Sequence, residues 1–169
     1  MNEYNKIEKK LNLSFKNLKL LESALNHSSL KNDNALIQSN EILEFIGDSV
    51  MYFIISEYIY INDKEQITSG DMSIIRSNII SNETFGMFAK KIHLDKHIKI
   101  SKGQNKIGIS DLMLSNCFEA LIGAIYIDSN LENVKKFIFD NFKIEIHDLF
   151  SKRPIKNEKM LANESRQKN

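Results

Sequence analysis

The chain of 169 residues contains one cysteine, one proline and no tryptophan. The single cysteine, Cys117, excludes an internal disulfide, and no spacing of cysteine and histidine is typical of a zinc site. The N-terminus lacks the charged-then-apolar order of a secretory signal. No apolar run is long enough to span a bilayer, because Ser56 and Glu57 interrupt the most apolar stretch, residues 50–61. We therefore expect a soluble protein that is cytoplasmic or organellar and is not secreted.

Charge is distributed unevenly along the chain. The formal net charge is +1, but residues 151–169 hold six Lys or Arg and two Asp or Glu, which leaves residues 1–150 at −3. A domain that binds nucleic acid by itself usually carries a basic excess. We expect residues 1–150 to form one domain that binds nucleic acid weakly on its own. Residues 151–169, which include Pro154, are expected to form a basic, flexible tail.

Helical periodicity dominates the sequence, and no convincing alternation of apolar and polar residues indicates strands, so we predict an all-α fold. The spacing predicts helices over residues 4–11, 17–26, 40–60, 72–91, 111–128 and 131–149. Asn17 is expected to cap the second helix, and Ser110 or Asp111 the fifth. The helices over 40–60 and 111–128 are apolar nearly all round, so we expect them to form the buried centre.

Two of these helices carry acidic or amide side chains within apolar surroundings. In the segment NEILEFIGDSV, Glu41, Glu44 and Asp48 follow one another at i, i+3 and i+7, which places them along one stripe of a helix. In the segment LSNCFEALIGAIYID, Asn116 and Glu119 share a face in the same way. A single acidic stripe is most often a solvated helix face, so each stripe by itself is compatible with that simpler interpretation.

Each segment also contains a glycine, Gly47 in the first and Gly123 in the second. A glycine inside a helix costs about 1 kcal/mol relative to alanine, and close approach of another backbone is the usual compensation. Two helices that cross at these glycines would bring together four oxygen-bearing side chains, those of Glu44, Asp48, Asn116 and Glu119. Oxygen ligands of this kind suit Mg²⁺, and carboxylates in apolar surroundings need neutralisation. The residues alone therefore indicate a metal site in a helical bundle as one possibility.

These segments resemble motifs of the ribonuclease III family. NEILEFIGDSV resembles the family signature usually written ERLEFLGDAVL, and FEALIGAIYID resembles the second acidic motif. His27-Ser28-Ser29 resembles the HxS element of the family. GDMSIIRSNIISNETF resembles a family helix that begins with a Gly-x-Leu-Ser-like turn and carries a basic residue, here Arg76. The resemblance extends from about residue 5 to residue 149.

The resemblance implies an all-α, two-fold dimeric endonuclease domain of the ribonuclease III type that cleaves double-stranded RNA with Mg²⁺, or with Mn²⁺ in its place. By motif position the metal ligands fall on Glu44, Asp48, Asn116 and Glu119, of which Asp48 and Glu119 are the catalytic residues. Glu41 matches a position that is not usually a direct ligand. Phe45 matches the aromatic residue that inserts into a socket on the partner subunit, although spacing alone equally allows an ordinary core residue. RNA contacts are expected at Arg76 and Lys102.

The sequence departs from the family pattern in three respects. Asn116 stands where an aspartate is typical, so we expect weaker metal binding than in the usual family site. The segment SKGQNKIGIS keeps Lys102 and Gly103 but lacks the usual Gly-Gly-Arg-like stretch. The resemblance ends near residue 149, so we expect no double-stranded-RNA-binding domain within residues 151–169, and this basic tail resembles the start of a linker to one.

We carry two functional hypotheses forward and keep a third open. The first is an endoribonuclease that recognises A-form RNA by its shape and backbone and leaves 5′-phosphate ends. The second is a catalytically weakened or inactive subunit of a ribonucleoprotein such as an organellar ribosome, which Asn116 and the acidic body suggest. The third is an unrelated helical bundle that binds a metal or hydrolyses phosphate esters. The natural RNA substrate does not follow from the sequence.

Overall fold

The structure is a computed structural model that describes residues 3–63 and 67–152. Within these residues the regular structure is helical, which confirms the all-α prediction. The only extended pairing there is an isolated bridge between Asn26 and Lys99. The helices are α1 (Glu3–Leu11), α2 (Leu18–Leu25), α3 (Glu41–Asn62), α4 (Ser69–Ile79), α5 (Asn82–Lys91), α6 (Lys102–Ile107), α7 (Asp111–Asp128) and α8 (Leu131–Ser151).

Five of the six predicted helices are present as α1, α2, α3, α7 and α8, and their ends differ from the prediction by at most two residues. The predicted caps are also present. The side chain of Asn17 accepts the N–H of Lys19 at 3.2 Å, and the side chain of Ser110 accepts the N–H of Met113 at 3.2 Å. Of the tail predicted at 151–169, all but its first two residues lie outside the described part of the chain.

The single helix predicted over residues 72–91 is wrong, because the segment forms two helices, α4 and α5. Ser81 begins the second helix: its hydroxyl accepts the N–H of Thr84 at 3.2 Å, while the Thr84 hydroxyl donates to the carbonyl of Asn78 at 3.1 Å. The apolar periodicity continues across this break and therefore conceals it. Helix α4 also begins earlier than expected, because Thr68 and Asp71 form a capping box.

Two segments that lie between predicted helices, residues 27–39 and 92–110, are also partly helical. A 3₁₀ helix over Ser28–Asn32 follows α2, and another over Leu94–Lys96 follows α5. The second segment also contains α6, which Ser101 caps by accepting the N–H of Gln104 at 3.1 Å. Gly108 ends α6 with a φ of 99°, in the region that favours glycine.

Helices α3 and α7 make the most extensive contact among the described elements, and they cross at their glycines. A Cβ atom built on Gly47 would lie 1.8 Å from the carbonyl oxygen of Glu119. One built on Gly123 would lie 2.1 Å from the carbonyl oxygen of Leu43. The two backbones therefore touch directly, which explains why glycine is present at both positions in spite of its helix propensity.

The core surrounds α7, which is buried along most of its length. Four fully buried phenylalanines pack against one another in this core, with ring centroids 4.3 to 6.3 Å apart in the contacting pairs. They are Phe85, Phe88, Phe118 and Phe142. Because these rings come from α5, α7 and α8, they tie the second half of the chain to the central helix.

Helix α3 is buried on one side only, so the expectation that it forms part of the buried centre is correct for that side and not for the other. Its other side exposes large apolar side chains, among them Phe45 at 76% and Phe53 at 52%. Ile42, Tyr60 and Ile61 on the same helix are also exposed. The periodicity indicates only that α3 is apolar. It does not indicate which neighbouring element covers each side of the helix.

None of the described helices combines the length and the apolar character that a membrane span requires.

We predict that Gly47→Ala and Gly123→Ala each destabilise the fold by about 3 kcal/mol or more, because the added methyl group meets a rigid backbone carbonyl. Gly70→Ala is the matched control: the site is helical and the nearest atom to its new Cβ lies 3.7 Å away, so stability should stay the same or rise slightly. Denaturant unfolding measures all three. Equal stability of Gly47→Ala and Gly70→Ala would contradict the close crossing.

Candidate metal site

The crossing of α3 and α7 brings together the side chains predicted to share one site. Glu44 and Asp48 lie on α3, one turn apart, and Asn116 and Glu119 lie on the facing part of α7. Gly47 lies against the backbone of Glu119 itself. The Glu44 carboxylate interacts with the Asn116 amide, and the charges of Glu44 and Asp48 both act on Glu119. The four residues therefore form one group, which we call the acidic cluster.

Burial and mutual repulsion shape the electrostatics of the acidic cluster. Glu119 is only 9% exposed, and its burial, with further contributions from Asp48 and Glu44, raises its pKa to about 7. Burial also raises the pKa of Glu44 and that of Asp48. For Glu44 the charges of Glu41 and Asp48 add to this effect, whereas a hydrogen-bonding interaction with Asn116 opposes it. In the metal-free protein the cluster thus holds its negative charges at a free-energy cost.

No basic residue offsets this cost within the part of the chain that the structure describes. None of the ion pairs found there involves Glu44, Asp48 or Glu119. Carboxylates that are buried without a cation of the protein fit a divalent cation as the missing counter-charge.

The donor set fits a hydrated ion better than an enclosed one. Among the described residues, no three His, Cys, Asp or Glu side chains are close enough together to hold a metal ion by themselves. The amide oxygen of Asn116 adds a fourth candidate donor to the three carboxylates of the acidic cluster. Mg²⁺ usually keeps several of its waters and binds proteins through one or two carboxylates, so an open cluster of this kind is compatible with it.

Glu41, the first acidic residue of the α3 stripe, is engaged elsewhere. Its carboxylate pairs with Lys31 and accepts the hydroxyl of Ser39 at 2.7 Å, and these hydrogen bonds lower its pKa. Glu41 therefore differs from Glu44 in having a cationic partner. This arrangement agrees with the expectation that Glu41 is not a direct metal ligand.

Arg76 lies on α4, outside the acidic cluster, and it contacts α3 beyond Asp48. Its guanidinium donates to the Ser56 hydroxyl at 2.9 Å and lies 4.9 Å from the centroid of the Tyr52 ring. Ser56 follows Asp48 by two helical turns, or roughly 12 Å along the axis. The structure thus places the basic residue predicted to bind RNA on α4, beside the α3 surface that continues from the cluster.

Lys102 is exposed in the first turn of α6 and is also outside the acidic cluster. Its backbone N–H donates to the Asp33 carboxylate at 3.1 Å, and the N–H of Ser101 donates to the Ser29 hydroxyl at 3.1 Å. His27 caps the 3₁₀ helix that contains Ser29. The sequence shows the His27-Ser28-Ser29 motif but not its link to Lys102, because no local spacing indicates a contact between distant segments.

Phe45 is not an ordinary core residue, because three quarters of its side chain is exposed. It lies at the edge of a shallow apolar depression whose other lining residues are Ile46, Ser49, Val50, Phe53, Tyr126 and Leu131. Cys117, by contrast, is a core residue, and burial raises the pKa of its thiol to about 12.

A cavity of about 450 Å³ lies away from the acidic cluster. It is enclosed by the α1–α2 connection, the end of α7 and part of α8. The carboxylates that line it have partners: Asp128 accepts the N–H groups of Lys16 and Asn17, each at 2.8 Å, and Asp140 pairs with Lys136 at 2.6 Å. This cavity lacks the unneutralised charge that distinguishes the acidic cluster.

Comparison with known proteins relates the chain to one family. A family model described as ribonuclease-III-like matches residues 17–145. The chain is 41% identical over 145 residues to ribonuclease 3 of Clostridium kluyveri, and the match covers 85% of the chain and 59% of that protein. It is 39% identical over 147 residues to ribonuclease 3 of Clostridium tetani, covering 84% and 62%. The chain thus spans about three fifths of the length of these relatives.

Solved structures give the same result. A nuclease domain of ribonuclease III from Campylobacter jejuni superimposes with a TM-score of 0.75 at 29% identity, covering 86% of the chain and 97% of that domain. A second structure of this domain, with a TM-score of 0.73 and 31% identity over 83% of the chain and 99% of its own, is described as flexible in a region involved in dimer formation. Dicer from Pichia stipitis, at 23% identity and a TM-score of 0.61 over 85% of the chain and 62% of its own, shares the fold.

We predict that Glu119 makes the metal-free protein less stable as pH rises. Its pKa is about 7 in the folded state against an ordinary value of 4.5, so the folded state binds more protons between these values. The associated stability is complete below pH 4.5, is lost as pH rises to 7, and amounts to about 3 kcal/mol. In chelator, Glu119→Gln should therefore gain stability relative to wild type from pH 5 to pH 8. Unfolding free energies measured across this range check the effect.

Glu41→Gln is the control for this titration, because Lys31 lowers the pKa of Glu41. Its stability relative to wild type should fall, not rise, with increasing pH through the acidic range. Parallel pH profiles of wild type and Glu119→Gln would rule out a raised pKa at Glu119.

Proposed function

Because the chain belongs to the ribonuclease III family, we propose that it is an endoribonuclease that hydrolyses double-stranded RNA with Mg²⁺ and leaves 5′-phosphate ends. The observation that carries this proposal is the acidic cluster at the crossing of α3 and α7. Three carboxylates and one amide meet there, and none of the described ion pairs neutralises them.

Glu44, Asp48, Asn116 and Glu119 would hold the metal, with Asp48 and Glu119 in the catalytic roles. When bound, Mg²⁺ supplies the Lewis acidity that activates water and stabilises the charge of a phosphoryl transition state. The contribution of the chain is to fix its oxygen donors on two rigid helices whose backbones touch. Because the pKa of Glu119 is raised, this side chain is protonated more readily than an exposed glutamate. It would release that proton on binding the metal.

RNA would be bound by shape and through its phosphates, because the deep major groove of A-form RNA hides the base edges. Arg76, along the α3 surface beyond Asp48, and Lys102, on α6, are the proposed phosphate contacts. Two such contacts on a body of negative net charge imply weak binding, and its affinity should fall with salt in proportion to the number of contacts.

We further propose that the chain acts as a homodimer that pairs through the exposed side of α3. A two-fold interface uses the same patch on both subunits, and apolar patches on a protein surface commonly mark interfaces. Phe45, 76% exposed beside the depression lined by Phe53 and Tyr126, is the best candidate for an aromatic anchor. The inactive ribonucleoprotein subunit considered above is not favoured, because the similar proteins bear the names of nucleases.

The proposed activity predicts that the purified chain cleaves long double-stranded RNA in Mg²⁺ at low salt. Asp48→Ala and Glu119→Ala should each reduce cleavage by more than about 100-fold, because each removes a ligand of the metal. Asp140→Ala, which removes an exposed carboxylate on α8, is the control and should cleave normally. Full activity of both Asp48→Ala and Glu119→Ala would refute the assignment of the site, and an inactive wild type would refute the function of the isolated chain.

Asn116 sharpens the same test, because it contributes a neutral oxygen where a carboxylate would contribute charge. Asn116→Asp should bind Mg²⁺ about 10- to 100-fold more tightly, and the wild type should prefer Mn²⁺. Calorimetric titration of each protein with the metal alone measures this without reference to activity. Unchanged affinity in Asn116→Asp would show that the side chain is remote from the ion.

Phe45→Ala should weaken the dimer by about 3 kcal/mol, or roughly 100-fold in the dissociation constant, if the ring is buried by the partner. Ile144→Ala removes an apolar side chain that is 73% exposed on α8 and serves as the control. Sedimentation velocity over a dilution series measures both variants. A Phe45→Ala protein that dissociates no more readily than wild type would exclude this ring from the interface.

A further inference from the structure

The segments before α3 and before α6 are joined by backbone hydrogen bonds. The N–H of His27 donates to the carbonyl of Lys99 at 2.9 Å, and the N–H of Lys99 donates to the carbonyl of Leu25 at 2.8 Å. The N–H of Asn40 donates to the carbonyl of Asn26 at 2.8 Å. Residues 25–27 therefore form hydrogen bonds both with the segment that leads to α6 and with Asn40, the residue that precedes α3.

Side chains extend this connection to Lys102. Nδ1 of His27 accepts the N–H of Ser29 at 3.2 Å and lies 2.9 Å from the Ser29 hydroxyl. That hydroxyl accepts the N–H of Ser101 at 3.1 Å, and Asp33 accepts the N–H of Lys102 at 3.1 Å. We call these four hydrogen-bonded residues, His27, Ser29, Asp33 and Ser101, the loop clamp.

The direction of these bonds defines the state of His27. A backbone N–H is always the donor, so Nδ1 must carry a lone pair and the ring proton must be on Nε2. Burial lowers the pKa of His27, which favours this neutral form. With Nδ1 as acceptor, the Ser29 hydroxyl can donate to it and keep its own lone pairs directed at the N–H of Ser101.

The loop clamp is also attached to the helix that carries Glu44 and Asp48. Lys31, within the same 3₁₀ helix as Ser29, pairs with Glu41 in the first turn of α3. The backbone of Lys102 is thus fixed relative to α3 by contacts on both sides. Its ammonium group is exposed, and none of the ion pairs in the described residues uses it.

We propose that His27 and Ser29 are positioning residues for Lys102: through the loop clamp they hold the first turn of α6 so that the Lys102 ammonium group can meet an RNA phosphate. The inference rests on the proposed function, because it requires an RNA ligand. A fixed backbone reduces the entropy lost when the long lysine side chain binds a phosphate, so releasing the clamp should cost this one contact.

Binding of a short RNA duplex in chelator, where cleavage is prevented, tests the proposal. Each lost phosphate contact lowers the slope of log affinity against log salt by about 0.9. Lys102→Ala and Ser29→Ala should each show this decrease. Their matched controls are Lys106→Ala, on the same short helix, and Ser28→Ala, the neighbouring hydroxyl, and both should keep the wild-type slope. In the Lys102→Ala background, Ser29→Ala should change affinity less than about twofold, because the contact is already lost.

Two further measurements separate positioning from general stability. Amide hydrogen exchange at Ser101 and Lys102 should become faster in Ser29→Ala and His27→Ala while core amides of α7 keep their protection. His27→Asn should restore the salt slope, since asparagine is an ordinary cap that accepts the same N–H. Ser29→Ala with a normal slope, or an equal loss of affinity in the presence and absence of Lys102, would overturn the proposal. A wild type that binds no RNA would overturn the proposed function as well, which distinguishes the two failures.

Discussion

Helices α3 and α7 bring four oxygen-bearing side chains together only because Gly47 and Gly123 let their backbones touch. At an ordinary helix separation of 8–10 Å, side chains at the contact would occupy the space between the axes. Here the space is closed by main-chain atoms, and the Glu119 carbonyl lies where a Cβ of residue 47 would be. The position of every candidate ligand depends on this one approach.

The same contact explains the electrostatic character of the cluster. Burial against a second helix removes water from Glu119 and Glu44, and the short separation adds repulsion among their carboxylates. Both effects oppose ionisation, so the arrangement is unfavourable for the protein alone and favourable once a cation is present. Asn116 reduces the repulsion within the cluster, because its amide can hydrogen-bond to Glu44, whereas another carboxylate at this position would repel Glu44. Part of the stability of the domain is therefore linked to the ionisation of this cluster.

Sequence periodicity predicted the parts of the fold that depend on residues near one another in the chain. The stripes on α3 and α7 and the caps at Asn17 and Ser110 follow from spacing and local chemistry. The glycine crossing is a contact between distant segments, and it was predicted only because each helix contains a glycine that propensity alone disfavours. The break at Ser81 did not, because apolar residues continue across it and only the hydroxyl contacts reveal it. Whether Phe45 is core or surface was likewise undecided by spacing, since it depends on which elements cover α3. The loop clamp joins residues that are far apart in sequence, and no pattern within either segment specifies its partner.

The glycine crossing also has a consequence for the order of folding. Gly47 and Gly123 belong to opposite halves of the chain, so their contact has a high sequence separation and carries a large loop-closure cost. During synthesis, α3 leaves the ribosome well before α7, and the side of α3 that packs against α7 remains uncovered until α7 has been made. The acidic cluster can form only once α7 has packed against α3, because its residues come from both helices. A metal ion bound there would report complete folding of the domain and would not guide the early stages.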